Sequence, residues 1–356
     1  MRNILLLFKF LNLKLFIHKV LNWEYWPFGI VYLPIFFLWI YYSIKAKTIF
    51  FFNSANPNIK NGGFMNESKI EIYDLIPPQY YPKTSIIRVK TTIEDVLKEF
   101  NKSNFNFPLI LKPDMGLRGN GVKKVTNLDE LKDYHAKADF DFLIQDVIPF
   151  ENEVGVFYVK LPNETKGKIT GIVSKEYLIV EGDGISTIEE LIKKTPRFEF
   201  QLKSLKKEYK DKLLKVLLKG EKINLVPYGN HARGAKFIDS SHLISGKLTN
   251  VIENISKDIS EFYFGRFDIM YNTFEELENG QNFSIVELNG SGSEPTHIYD
   301  PKHSILFAWK ELAKHIGYMY KIGKYNNDRG YKFLNYKEGM NEYKEHNKCL
   351  SKIVTI

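Results

Sequence analysis

Phe264-Gly265-Arg266-Phe267-Asp268-Ile269-Met270 and Phe283-Ser284-Ile285-Val286-Glu287-Leu288-Asn289-Gly290-Ser291-Gly292 are the two stretches that decide how this chain folds. Both alternate apolar and polar residues in the manner of strands, and the second runs out into a loop of small residues. Side chains repeat along a strand with period two, so Glu287 and Asn289 share one face, and Asp268 on a neighbouring strand can face them. Two carboxylates and an amide are hard oxygen donors. Mg²⁺ takes such a set when ATP phosphates complete its octahedron, as one or two ions, and Mn²⁺ is accepted by the same donors. The alternative is an edge strand whose polar residues face water. The apolar neighbours of Glu287 and Asn289 make that reading awkward.

Upstream lies Pro108-Leu109-Ile110-Leu111-Lys112-Pro113-Asp114-Met115-Gly116-Leu117-Arg118-Gly119-Asn120-Gly121-Val122. A lysine leaves a buried strand, and Gly116, Gly119 and Gly121 then allow backbone N–H groups to approach an anion closely. No G-x-x-x-x-G-K-[ST] occurs, so this is not a P-loop. Without further evidence, a tight turn carrying a surface lysine fits the same residues.

The 356 residues are 44% hydrophobic and 26% charged, the balance of a globular protein with a full core. The formal charge of +8 is uneven. Residues 1–47 contribute +5, residues 321–356 contribute +4, and the long middle is near −1. Basicity confined to the ends argues against a nucleic-acid groove and fits ends that meet an anionic membrane surface. The single cysteine, Cys349, excludes an internal disulfide and a cysteine-based metal cluster.

Tyr25 to Ile44 is an uncharged stretch of twenty residues, interrupted by Pro27 and Pro34. It is preceded by an apolar segment carrying Lys9, Lys14, His18 and Lys19. A spanning helix would leave four basic residues on the far side from an ATP-using domain, against the positive-inside tendency. Residues 1–47 are therefore expected to form a monotopic or re-entrant anchor, with a single span as the alternative and the catalytic domain on the cytoplasmic side. Beyond it, Thr48–Asn53 reads as a strand, 68–77 and 93–100 as helices, Leu109–Lys112 and Phe142–Val147 as strands, and 187–220 as mainly helical. Glu221–Pro227, Phe264–Tyr271 and Asn282–Leu288 read as strands. The pattern weakens after about residue 320 into a basic tail, 321–356, expected to be loosely packed or membrane-touching.

The order Lys69, Lys112 with its glycine loop, a hinge, Arg266-x-Asp268 and Glu287-x-Asn289 resembles the ATP-grasp superfamily, in particular the D-alanine–D-alanine ligases. The segment Val180–Ile192, and Lys219-Gly220-Glu221 with Gly229-Asn230-His231-Ala232-Arg233-Gly234, is similar to cyanophycin synthetase-type ligases. The resemblance covers about residues 66–320. It implies an α+β fold, two α/β lobes sandwiching ATP, with lobes at about 68–145 and 146–320 and residues 48–67 as a remnant of the N-terminal α/β domain such ligases carry. It also implies that Lys69, Lys112 and the loop Gly116–Gly121 hold the triphosphate. Gln145, Asp146, Val147 and Ile148 would form the adenine hinge, with Glu153 at the ribose and Asp268, Glu287 and Asn289 on magnesium.

The implied reaction joins a carboxylate to an amine through an acyl-phosphate, on amino-acid, peptide or lipid-linked substrates. Phosphoryl transfer of this kind is catalysed by positioning and charge stabilisation. Arg266 is the candidate oxyanion donor, a role worth about 3 kcal/mol in other sites; the alternative for it is an ion pair with a metal-binding acid. His231 is a candidate base, Arg233 and Lys236 are candidate clamps, and Gly290–Glu294 is expected to shape the acceptor pocket. A phosphotransferase on the same fold, or a non-catalytic nucleotide-binding membrane module, would need the same ATP-binding groups.

Overall fold

Capping residues and alternation set the elements. The computed structural model describes residues 13–116, 119–226 and 234–353. Eleven strands fall among them, in chain order: β1 (Thr84–Ile87), β2 (Leu109–Pro113), β3 (Lys123–Val125), β4 (Phe142–Asp146), β5 (Asn152–Val159), β6 (Lys168–Glu176), β7 (Ile179–Glu181), β8 (Lys222–Asn224), β9 (Lys236–Asp239), β10 (Phe264–Tyr271) and β11 (Phe283–Asn289). With the helices they make a mixed α/β protein of two compact units. One comprises Met1–Phe36, Ser174–Asp239 and His297–Lys310, and the other Phe37–Val173, Ser240–Thr296 and Glu311–Ile356.

The larger unit holds two antiparallel sheets. The first runs β1-β4-β2-β3. Helices Ile93–Lys102 and Leu128–Lys137 cover it, burying Val96, Leu131 and Tyr134 against Leu109, Leu111 and Ile144. Thr92 and Asn127 cap the two helices by accepting from the amides of Asp95 and Glu130, a contribution of about 1 kcal/mol each. In the second sheet β11, β10, β5 and β6 lie side by side. Leu248, Ile252 and Ile255 of helix Gly246–Asp258 pack with Val154, Val156, Phe267 and Ile269. β10 joins β11 through the short helix Phe274–Glu278, whose start is locked by a reciprocal Thr273–Glu276 capping box.

Two sequence expectations are overturned in this unit. Thr48–Asn53 is not a strand, because a 3₁₀ turn at Phe51–Ser54 buries Phe50, Phe51 and Phe52 together. Nearby Asn56 is fully buried and satisfied on both sides. Its amide donates to the carbonyls of Gly62 and Phe264 at 2.9 and 2.8 Å, and its oxygen accepts from the N–H groups of Tyr263 and Phe264. The tail is not loose either. Helix Ile305–Asp328 continues past residue 320 with Ile322 and Asn326 fully buried. A last helix, Tyr336–Ile353, ends with Ile353 in the core of the first sheet.

The smaller unit has its own core. β7 pairs antiparallel with β8, and helices Ile188–Lys193 and Leu202–Tyr209 bury Ile188, Ile192 and Leu205 with Leu178 and Leu225. Asp183 accepts the amides of Ile185 and Ser186 just ahead of the first helix, closing a turn before Thr187 caps it. At the start of the chain, residues 13–21 are helical, Pro27 caps helix Phe28–Val31, and Pro34 sits in the first turn of helix Leu33–Ala46. The uncharged stretch is thus broken at Pro27 and again at Tyr32, just ahead of Pro34. No helix among the described residues is long and apolar enough to cross a membrane, so the single-span alternative finds no helix here.

Candidate functional site

The register of β10 and β11 builds the centre of the site inside the larger unit. Asp268 stands opposite Glu287, and Arg266 opposite Asn289. Cross-strand partners share a face, so all four side chains project from one side of the sheet. On the other flank of β10, Asp268 pairs with Gly155 of β5. A methyl group at Gly155 would stand 3.0 Å from Arg266 Cδ and 3.1 Å from Asp268 Oδ1. The missing side chain is therefore the space that the arginine and the carboxylate occupy.

These groups are already engaged with one another. Arg266 grips the buried Asp268 with both arms, Nε to Oδ1 at 2.7 Å and Nη2 to Oδ2 at 3.0 Å, and reaches the carbonyl of Glu294 at 3.3 Å. Asn289 donates to Asp268 Oδ2 at 3.3 Å. Burial works against the Arg266 charge, but the Asp268 carboxylate outweighs it and holds the guanidinium well above its ordinary pKa. Of the two sequence readings of Arg266, the ion pair, here with Asp268, is the contact present.

Two lysines approach β11 from other elements. Ser68 caps the helix Lys69–Tyr73, and Asp114 fastens that helix to the glycine loop by accepting from Ser68 Oγ at 2.7 Å and the amide of Ile70 at 2.9 Å. Lys69 Nζ lies 3.4 Å from Glu287 Oε1 and donates to the carbonyls of Gly116 and Asp114. Burial opposes its charge, while Glu287 and Glu67 together raise its pKa. Lys112, at the buried end of β2, donates to Tyr73 Oη at 2.9 Å and to the Val286 carbonyl of β11 at 3.4 Å. Its burial pulls its pKa down to about 7. Tyr73 Oη in turn donates to the Val286 carbonyl and accepts from Gln145 Nε2 at 3.2 Å.

The structure thus brings Lys69, Lys112, Arg266, Asp268, Glu287 and Asn289 together, with Gln145 attached through Tyr73. Glu153 lies on β5 opposite Met270, two residues from Gly155 and so on the Asp268 face. Asp146 ends β4, where its carboxylate faces Lys83 at 3.5 Å, and Val147 and Ile148 follow it toward β5. In the glycine loop, Gly119 and Gly121 adopt φ of +70° and +71°. A methyl at Gly121 would meet Pro113 Cγ at 2.8 Å and Ile353 Cγ2 at 3.3 Å. The last helix therefore backs the loop. Leu117, Arg118, His231, Ala232 and Arg233 lie outside the described residues, and so the candidate base and one candidate clamp do too. Lys236, the other clamp, opens β9 in the smaller unit and pairs with Glu176 at 3.2 Å.

Four residues of this neighbourhood escaped the sequence reading: Glu67, Tyr73, Asp114 and Gly155. Asp114 had a signal, an acid directly after Lys112-Pro113, and Glu67 adjoins the quoted Lys69. Glu67, Lys69, Tyr73 and Glu287 line a common pocket with Ile72 and Leu288. Burial pushes the Glu67 carboxyl up to about 7. Among the described residues no group of three or more His, Cys, Asp or Glu side chains is arranged to hold a metal ion. The hard-oxygen set consists instead of two facing carboxylates and an amide, a chemistry that fits Mg²⁺ completed by phosphate oxygens.

No protein-family model matches the chain, and no curated protein matches it. Solved structures do align with it. A bifunctional glutathione synthetase from Pasteurella multocida is 15% identical over 72% of this chain and 38% of that one, with a TM-score of 0.38. The VanG D-Ala:D-Ser ligase from Enterococcus faecalis is 17% identical over 73% and 62%, with a TM-score of 0.40. This chain thus spans less than two thirds of the length of either. A D-alanine–D-alanine ligase from Bacillus anthracis is 14% identical over 76% and 71%, with a TM-score of 0.43.

Proposed function

We propose that this protein is an ATP-dependent carboxylate–amine ligase of the ATP-grasp type. The observation that carries the reading is the placement of Asp268 opposite Glu287, with Lys69 and Lys112 from two other elements reaching the strand that holds Glu287. Cations for a triphosphate and hard oxygens for Mg²⁺ meet at one place. Lys69, Lys112 and the glycine loop would hold the phosphates, and Asp268, Glu287 and Asn289 the metal. Bound Mg²⁺ supplies charge neutralisation at the transferring phosphate. The chain's own part is positioning. Asp114 ties Lys69 to the loop, Tyr73 sets the height of Lys112, and Gly155 gives Arg266 room beside Asp268, where it can follow developing negative charge.

The test is ADP release by the purified protein with Mg²⁺-ATP across a pool of amino acids. Amine-dependent release that falls at least about 100-fold in Glu287→Ala is expected, the scale of losing a group that acts on the transferring phosphate. ADP formed without any amine would favour a phosphotransferase.

We infer separately that the protein works at a membrane surface. Leu13, Phe16, Ile17, Val20 and Leu21 are exposed on one short helix together with Lys14 and Lys19. Apolar side chains beside lysines suit the interface of an anionic bilayer. The full chain should float with vesicles of phosphatidylcholine and phosphatidylglycerol, and Phe16→Asp with Val20→Asp should weaken this. A protein that stays at the bottom of the gradient would remove the membrane from the account.

A further inference from the structure

Two elements assigned to the triphosphate, the segment that delivers Lys69 and the glycine loop, both rest on helix Tyr336–Ile353 in the larger unit. Asn66 stands three residues before Lys69 and takes a left-handed φ of +56°. The helix grips it by main chain and side chain. The Asn66 backbone N–H donates to His346 Nδ1 at 3.2 Å. Its side-chain amide donates to the Glu342 carbonyl and to Glu342 Oε2, each at 2.8 Å. Asn61 donates to the same Oε2 at 2.8 Å, and Lys60 Nζ lies 3.5 Å from it. Accepting through Nδ1 needs a neutral imidazole, and burial lowers the His346 pKa in that direction. Further along the helix, about 16 Å from Glu342 at the rise of an α-helix, Ile353 stands behind the glycine loop. A methyl at Gly116 would lie 3.5 Å from its Cδ1.

Resting on the ligase reading, we propose that this helix is a strap that positions Lys69 and the glycine loop for ATP, with Asn66, Glu342 and His346 as positioning residues. A triphosphate held by a lysine from one segment and amides from another binds tightly when both segments are already in place. Without the strap, ATP itself would have to order the Lys69 segment, and that ordering would appear as lost affinity. Leu350 and Ile353 seat the helix on the first sheet. The bonds from Asn61 and Asn66 go elsewhere, to one carboxylate beside the lysine segment, where they fix its height rather than cover apolar surface.

The experiment measures ATP binding to the full chain by calorimetry with Mg²⁺ present, beside the melting temperature. Asn66→Gly accepts the positive φ and removes the side-chain bonds. That variant and Glu342→Ala are each expected to raise the Kd for ATP about tenfold, the size of one lost hydrogen bond to a charged group. The double variant should also lose about tenfold, because both changes delete the same contact. Glu342→Gln keeps an acceptor oxygen and should stay within about threefold of wild type. Should Glu342→Ala fail to fold, Asn66→Gly carries the test. Thr92→Ala, which removes the cap of helix Ile93–Lys102, is the comparison: it should lower the melting temperature and leave the Kd unchanged. Asn66→Gly and Glu342→Ala proteins that melt earlier yet bind ATP as wild type does would overturn the strap. A loss of about a hundredfold in the double variant would overturn the shared contact on which it rests. Wild-type protein that binds no ATP would instead overturn the ligase reading and the strap with it.

Discussion

At the scale of single residues, Lys112 has the clearest consequence. Burial leaves its folded-state pKa near 7, against 10.5 ordinarily. Between these values the unfolded chain binds the extra proton and the folded protein does not. The contribution of this group to stability is therefore fully present above about 10.5 and is lost as pH falls through about 7. A triphosphate needs the lysine charged, so ATP binding at pH 8 should draw in close to one proton and weaken as pH rises. Calorimetry in buffers of different ionisation enthalpy measures this, and Lys112→Met should abolish the uptake. Binding with no proton uptake would place the phosphates away from Lys112. Lys69 was picked out by the family resemblance, and the meeting of Asp268, Glu287 and Asn289 was legible in the sequence because strand alternation can put them on one face. Tyr73, Glu67 and Gly155 were not. Their roles depend on what lies across space from them, which spacing along one chain does not encode.

At the scale of elements, β10 and β11 were read to within a residue, since apolar–polar alternation through Arg266–Ile269 and Val286–Asn289 leaves little freedom. Their mutual register was not readable in advance. It comes from the Thr273–Glu276 capping box that fixes the connection, together with an irregularity after Asp268. That irregularity lets Asp268 face Glu287 while Ile269 pairs with Ile285. Thr48–Asn53 misled the reading because three consecutive phenylalanines resemble a buried strand. Here they fold into a turn whose exit, Asn56, replaces ladder hydrogen bonds with four side-chain bonds of its own. The last helix was missed for a related reason. Its apolar contacts are few and widely spaced, and its anchoring is polar: Asn66 donates to both the carbonyl and the carboxylate of Glu342 at 2.8 Å. Polar docking leaves no hydrophobic period to detect.

At the scale of the whole molecule, composition limited the class, and motif order is what led to the ligase proposal. A chain with charge gathered at its ends and a near-neutral middle suited a nucleotide enzyme better than a nucleic-acid binder. The central claim, that a carboxylate is activated as an acyl-phosphate before an amine attacks it, is tested most directly by isotope transfer. Amino acids labelled with ¹⁸O in the carboxylate are incubated with the protein, Mg²⁺-ATP and an amine, and the released phosphate is analysed by mass. The account predicts one ¹⁸O carried from carboxylate to phosphate in each turnover, and none with Glu287→Ala. ATP consumed in an amine-dependent reaction with unlabelled phosphate would contradict it.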